Sequence, residues 1–367
     1  MGLKCGLVGL PNSGKTMVFN AITGAGAEAA SFPYSTLTPN VASVPVPDDR
    51  LERIHAYVET DKVVAAELKV VDIAGLPKGA SRGEGMGTKF LGAIKECDAL
   101  LHVVRCFPNV DEPNAPLDPG GDIEIVELEL GFADLETVER NLERVGKKAR
   151  TGDKEMVEQR DLFERVKAWL ESEKQVRDME LSEREQELLR PMFLLTQKPV
   201  LYVANLPDQA FEEGQDGSQH QGYVAASAFA QEHGSDCLAI AGRLEAELAD
   251  LDDEEREMFM EELGIKERGL ARLIRSAFHL LGLRTFFTAG EKEIKAWTFV
   301  AGSKAPQAAS VIHTDFEKKF IRAQIYSLED LETYKKESEI KSAGKLRVEG
   351  KEYEMQDGDI VLFLIGG

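Results

Sequence analysis

What this chain lacks narrows it first. Only four of its 367 residues are cysteine, and Cys5, Cys97, Cys106 and Cys237 show neither C-x-x-C nor zinc-ligand spacing. A disulfide framework and a zinc module are therefore excluded, and inert, reduced thiols in a cytoplasmic protein are expected. No apolar run approaches the roughly 18 residues a bilayer-crossing helix needs, so no membrane partner is expected. No secretory leader is expected, because the segment from Met1 runs straight into a glycine-rich loop. Gly2 lacks the serine or threonine at position 6 that a myristoylation signal requires. Positive charge is scarce: the net charge is −21 and the isoelectric point is near 4.8. Such a surface does not coat DNA, and sequence-specific DNA binding is not expected. The acid is unevenly spread, with 13 basic against 14 acidic residues from Leu283 onward and 31 against 51 before it.

What remains is a soluble globular composition, 43% hydrophobic and 30% charged, long enough for two or three domains. The strongest signal is Gly9-Leu-Pro-Asn-Ser-Gly-Lys-Thr16, which fits G-x-x-x-x-G-K-[ST]. An apolar, strand-like run from Leu3 to Val8 precedes it, and a helical pattern from Met17 to Ile22 follows. A phosphate chain needs converging backbone N–H groups, which a glycine-rich turn at a helix N-terminus supplies. The loop residues Asn12, Ser13, Gly14, Lys15, Thr16 and Met17 are thus the expected nucleotide contacts. Lys15 would reach the β- and γ-phosphates, and the Thr16 hydroxyl would ligate Mg²⁺.

The second half of such a site is a strand delivering Asp at its carboxyl end. Leu68-Lys-Val-Val71 followed by Asp72-Ile-Ala-Gly75 fits, with Asp72 near Mg²⁺ and the Gly75 N–H near the γ-phosphate. The irregular stretch Ser31 to Asn40 reads as a switch loop in which Thr36 or Thr38 could complete the Mg²⁺ shell. Leu76 stands where many GTPases place a water-orienting glutamine, and leucine cannot hydrogen-bond water. His102, within the apolar strand 99–104, reads first as a core histidine, with a catalytic role as the alternative.

From about Glu129 to Gln197 the periodicity is helical. Leu135, Val138, Leu142 and Val145 share one face, as do Leu162, Val166, Trp169 and Leu170. Ser182 with Glu185 reads as a capping box. A helical hairpin is thus expected inside an α/β domain, its charges forming a solvated face or a partner-binding arm. The α/β pattern resumes at Pro199 to Ala204, leading into Asn205-Leu206-Pro207-Asp208, where a base-reading loop would lie. Beyond Leu283 the chain is β-rich, about 85 residues of a small α+β module.

These motifs, with Phe32-Pro-Tyr-Ser-Thr36, Asp72 to Ala80, Phe286 to Gly290, Ala296-Trp-Thr298, Lys304 to Ala309 and Ile312 to Glu317, resemble the YchF/Obg-like ATPase family, a branch of the Obg-related translation-factor NTPases. The resemblance implies a P-loop NTPase, G-domain-like sheet at 1–128 and 198–282. It further implies an inserted helical hairpin or coiled coil at 129–197 and a TGS (β-grasp) domain at 283–367. It points to Thr36 rather than Thr38 as the Mg²⁺ ligand, to Asn12 as a K⁺ contact, and to a catalytic contribution from His102 beside Lys15 and Gly75. The implied activity is Mg²⁺-dependent hydrolysis of ATP, with the ribosome, its large subunit in particular, as partner. A guanine-preferring GTPase of the Obg type and nucleotide-gated ribosome docking with little turnover are the competing readings. The family pattern is Asn-x-x-Glu, whereas this loop ends in Asp208, the shorter carboxylate compatible with guanine. Asn205, the Leu206 backbone and Asp208 are the expected base contacts, with ATP favoured and GTP a second substrate.

Overall fold

The structure, a computed structural model, describes residues 3–24, 28–29, 40–73, 75, 79, 86–108, 116–150 and 153–366. It divides into two compact units, Met1–Val44 with Lys69–Leu273 and Pro45–Leu68 with Ile274–Gly367.

The first unit alternates strands and helices, the pattern that buries a parallel sheet on both faces. Its elements begin with β1 (Lys4–Val8), α1 (Lys15–Gly24), β2 (Glu28–Ala29) and β3 (Asn40–Pro45). Two elements of the second unit intervene, α2 (Arg50–His55) and β4 (Val63–Val64). Then come β5 (Glu67–Asp72), α3 (Met86–Lys95), β6 (Ala99–Arg105), α4 (Pro119–Ala149), α5 (Lys154–Glu171) and α6 (Glu183–Leu189). The unit closes with β7 (Val200–Asn205), α7 (Gln221–Glu232), β8 (Asp236–Ile240), α8 (Gly242–Asp250), α9 (Asp253–Leu263) and the first part of α10 (Gly269–Leu280). The strand order is β2-β3-β5-β1-β6-β7-β8. The registers Leu7↔Asp72, Val8↔His102 and Arg105↔Asn205 bring the carboxyl ends of the central parallel strands to one edge. Ligands of open α/β sheets bind at that edge.

The helical arm starts ten residues earlier than its apolar periodicity predicts. Gly120 and Gly121 read as breakers, but Asp118 caps the helix by accepting from the Gly121 N–H, and Pro119 sits at its first position. Val138, Val145, Leu162, Val166 and Leu170 are buried together as the spacing predicts, whereas Leu135 and Leu142 pack at the margin. The Ser182–Glu185 capping box forms. At the foot of the arm, the buried Asp134 carboxylate accepts from the N–H groups of Leu195 and Thr196, both at 2.8 Å, and from the Thr196 hydroxyl at 2.7 Å.

The second unit is α+β. It adds β9 (Leu283–Ala289), β10 (Ile294–Val300), α11 (Ala305–Ile312), α12 (Asp315–Lys319), β11 (Phe320–Tyr326), α13 (Leu328–Tyr334), α14 (Glu337–Ser342), β12 (Arg347–Glu349) and β13 (Ile360–Ile365). Its sheet runs β12-β11-β13-β9-β10-β4. Ala305, Ala308 and Ala309 let α11 lie close on Phe286 and Phe299. Residues 45–68 join this unit as well: β4 pairs with β10, and Arg50 bonds Asp48 and Asp357 with its guanidinium 5.0 Å over the Phe287 ring.

Candidate functional site

The glycine-rich loop leaves β1 through backbone that side chains resist. Gly9 and Gly14 have φ of 147° and 88°. A Cβ on Gly9 would lie 2.4 Å from the Val103 carbonyl oxygen, and one on Gly14 would lie 2.2 Å from Asn205 Nδ2. Between them Asn12 has φ 62°, a conformation asparagine tolerates. The turn delivers Lys15 to the first position of α1, where its side chain is buried and Nζ donates to the Leu10 carbonyl at 2.7 Å. Burial lowers the Lys15 pKa to about 8, against the opposing pull of Asp72. Its charge is thus incompletely compensated. Beside it the buried Ser13 hydroxyl oxygen has no hydrogen-bond partner among the described residues. An under-compensated ammonium, an orphaned hydroxyl, a side-chain-free cradle and a helix N-terminus together fit a phosphate chain.

Asp72 arrives from β5, in register with Leu7. Burial raises its pKa above the usual carboxylate range, and Lys15 counteracts this. Gly75 lies over the loop: a Cβ there would meet Pro11 Cα at 3.1 Å and Lys15 Nζ at 3.3 Å. Thr16 and Met17 are exposed at the start of α1. Among the described residues no three His, Cys, Asp or Glu converge to hold a metal unaided. The Thr16 hydroxyl and Asp72 carboxylate are hard oxygen donors that suit Mg²⁺ shared with phosphate oxygens and water. Thr36, Thr38 and Leu76 lie outside the described residues.

Asn205, at the end of β7, works as a strut. Its Nδ2 donates to the Ser13 carbonyl at 3.0 Å and its Oδ1 accepts from the Gly242 N–H at 2.9 Å, clamping the loop to the start of α8. The Leu206 side chain is in the core and its N–H donates to the Ile240 carbonyl. The Leu206 N–H is thus already used within the fold. Asp208 is part-exposed and 3.5 Å from Arg243 Nε. Burial raises its pKa, while Arg243 and the Leu244 N–H act the other way. His102 is brought next to Val8 by register but sits in the core, 1% exposed, its ring 5.4 Å from that of Tyr202. Burial lowers its pKa to about 4, so it is neutral at pH 7.

The loop residues, Asp72, Gly75 and Asn205 are thus gathered at one edge, whereas His102 faces the interior. Two contributors escape the motif reading, Gly242 and Arg243. The signal for them is a strand, β8, followed after Ala241 by a glycine that opens a helix.

Residues 4–151 match a family profile described as "50S ribosome-binding GTPase", and residues 283–366 match the YchF-GTPase C-terminal profile. The chain is 46% identical over 365 residues to the "Ribosome-binding ATPase YchF" of Bacillus subtilis and 47% identical over 366 residues to that of Escherichia coli O157:H7. Each alignment covers 99% of both chains. Among solved structures, the Schizosaccharomyces pombe YchF GTPase superposes with a TM-score of 0.86 at 35% identity, over 99% of this chain and 97% of that one. With the glycine cradle, the buried Lys15 and full-length identity all in agreement, the chain belongs to the YchF family.

Proposed function

We propose that this protein hydrolyses ATP to ADP and phosphate in an Mg²⁺-dependent cycle coupled to the ribosome. The observation that carries the reading is the loop built around Lys15, with Ser13, Gly75 and Asp72 converging on it. Lys15 would hold the β- and γ-phosphates and the Gly75 backbone the γ-phosphate. Bound Mg²⁺, held by Thr16 and Asp72 with Thr36, would neutralise charge developing on the phosphates. Water then adds at the γ-phosphorus and the bond to the β-phosphate oxygen breaks. Leu76 cannot orient that water, and Asn12 is the residue positioned to supply a K⁺ site instead; equal turnover in K⁺ and Na⁺ buffers would refute this. The relatives' names support the ribosome as partner and the profile's description favours its large subunit; a cytoplasmic location belongs to the same proposal. The three-part division at 129–197 and 283–367 belongs to the same proposal.

ATP is favoured over GTP on the geometry of the base loop. The Leu206 carbonyl can accept from adenine's amino group, whereas the Asp208 carboxylate that guanine needs is engaged by Arg243 and the Leu244 N–H. Asn205, its amide spent on the Ser13 carbonyl and the Gly242 N–H, serves the nucleotide by holding the loop and not by reading the base. Arg243 is 72% exposed, and so weak a pair leaves GTP as a second substrate. Affinity and turnover for both nucleotides in wild type and Asp208→Glu test this. A clear GTP preference in wild type overturns it. Lys15→Ala should lose turnover; ribosome association lost with turnover intact would favour pure gating.

A further inference from the structure

A second feature of the first unit lies away from the phosphate loop, at the foot of the helical arm. A groove of about 460 Å³ runs between the end of α3, the middle of α4 and the turn at 190–193, and is lined by Lys95, Thr137, Arg140, Asn141, Arg144 and Phe193. Arg140 and Arg144 are one helical turn apart and exposed. Arg140 donates to the Glu136 carbonyl and Arg144 to the Asn141 side-chain oxygen, and neither pairs with a carboxylate among the described residues. Lys147 and Lys148 extend the same stripe through the last turn of α4. On a chain of net charge −21 this is a local reversal of sign. The neighbouring Glu139 is drawn to the other flank, pairing with Lys167 on α5.

Phe193 is the second observation. Its flanks Met192 and Leu194 are buried, yet its ring is 62% exposed. Its backbone is left-handed, φ 50° and ψ 50°, a conformation bulky side chains avoid. Exposure and strain are both costs, and a phenylalanine that bears both is a candidate for contact with something. A flat apolar ring beside a row of cations is the pairing that binds single-stranded nucleic acid: cations take the phosphates and the ring stacks a base. On the far side of Phe193 the lining is mixed, Asp98, Glu183 and Glu187 against Arg190 and Lys198, whereas the arginine side carries cations alone, so the strand is assigned to the arginine side.

We propose that this groove binds single-stranded RNA, with Lys95, Arg140 and Arg144 on consecutive phosphates and Phe193 stacked on a base. The inference names the RNA-facing surface for the ribosome reading above and rests on that reading for its biological source.

The test titrates the full chain with a labelled, unstructured RNA and with an RNA duplex across a salt series, and measures ATP turnover and ribosome co-sedimentation in parallel. Wild type should prefer the single strand. Arg140→Glu with Arg144→Glu should reduce the slope of log affinity against log salt by about 1.4, two phosphate contacts' worth. Phe193→Gly should weaken binding about tenfold while raising the melting temperature, because glycine accepts the left-handed backbone. Turnover should be unchanged in both. RNA binding that is absent in wild type, indifferent to these variants, or stronger for duplex overturns the site. If the variants bind ribosomes as well as wild type does, the site fails and the ribosome reading stands. If wild type binds RNA through these residues but not ribosomes, the site stands and the ribosome reading fails.

Discussion

Replacing Asn205 with alanine separates a structural strut from a base contact. The amide is 3% exposed and is consumed at both ends, by the Ser13 carbonyl at 3.0 Å and the Gly242 N–H at 2.9 Å. Alanine leaves both backbone groups buried and unpaired. Each costs roughly 1–3 kcal/mol, so about 3 kcal/mol in total is a moderate expectation. For a unit of this size that lowers the melting temperature by about 6–12 °C. The same change frees the loop carrying Ser13, so affinity should fall for ATP and GTP alike, about tenfold per 1.4 kcal/mol of lost order. The ratio of the two affinities should hold, because the strut orders phosphate contacts and not the base. Thermal unfolding with and without nucleotide, beside calorimetric titration of both nucleotides, measures these quantities. A variant that melts with wild type yet loses nucleotide affinity, or loses it for one base only, would make Asn205 a base reader and refute the argument. Asn205→Asp should behave nearly as badly, since a carboxylate would face the Ser13 carbonyl.

Three further outcomes follow from the same geometry. Lys15 has its folded-state pKa lowered to about 8, so ATP affinity should decline as pH rises through 8, and Lys15→Arg should flatten the profile. Because the fold binds fewer protons than the unfolded chain between pH 8 and 10.5, the nucleotide-free protein should gain stability across that window, by about 3 kcal/mol in total. His102 is held neutral with its pKa lowered to about 4, so its contribution is complete above pH 6.5 and is lost as pH falls toward 4. His102→Phe should remove that acid sensitivity and leave turnover within about twofold, whereas loss of a general base would cost roughly 10²–10⁴. Asp134→Ala strands the N–H groups of Leu195 and Thr196 and should cost about 3 kcal/mol, with faster hydrogen exchange at those two amides.

The phosphate half of the site was legible because its chemistry is local. A turn that must present N–H groups to phosphate needs glycine at fixed offsets, and the strand before Gly9 and helix after Thr16 were visible as changes of period. Asp72 was legible by the same logic, as the last residue of a buried strand. The supports of the proposed base loop were not, because they come from distant pieces: Asn205 bonds the Gly242 N–H, and Asp208 faces Arg243 and the Leu244 N–H, some 35 residues on. Period alone also misplaced the start of α4, where an apolar count sees two glycines and a structural reading sees Asp118 and Pro119. The assignment of residues 45–68 to the second unit was invisible for a different reason. Its evidence is a two-residue strand, Val63–Val64, paired with residues more than two hundred positions away.

His102 shows how core and site meet. Its ring lies against Tyr202, whose hydroxyl donates to Glu127 Oε1 on α4 at 2.9 Å, and Glu127 Oε2 is 2.7 Å from Arg177 Nη2. Arg177 and Glu127 are 9% and 6% exposed, so the pair is buried, and a buried pair contributes little net stability over apolar residues of the same volume. What it adds is direction. Apolar packing of Ile123, Val126 and Leu130 would let α4 slide on the sheet, whereas the Tyr202–Glu127–Arg177 contacts and the three bonds to Asp134 are satisfied at one register only. The arm is therefore pinned to β7 and to residues 195–196, and β7 pairs with β6, which pairs in turn with the strand that launches the phosphate loop. A partner gripping Arg140 and Arg144 would pull on a helix anchored about two and about four turns from Arg140, at Asp134 and Glu127. That places the polar core, not the solvated face of the arm, where binding strain would reach the nucleotide edge.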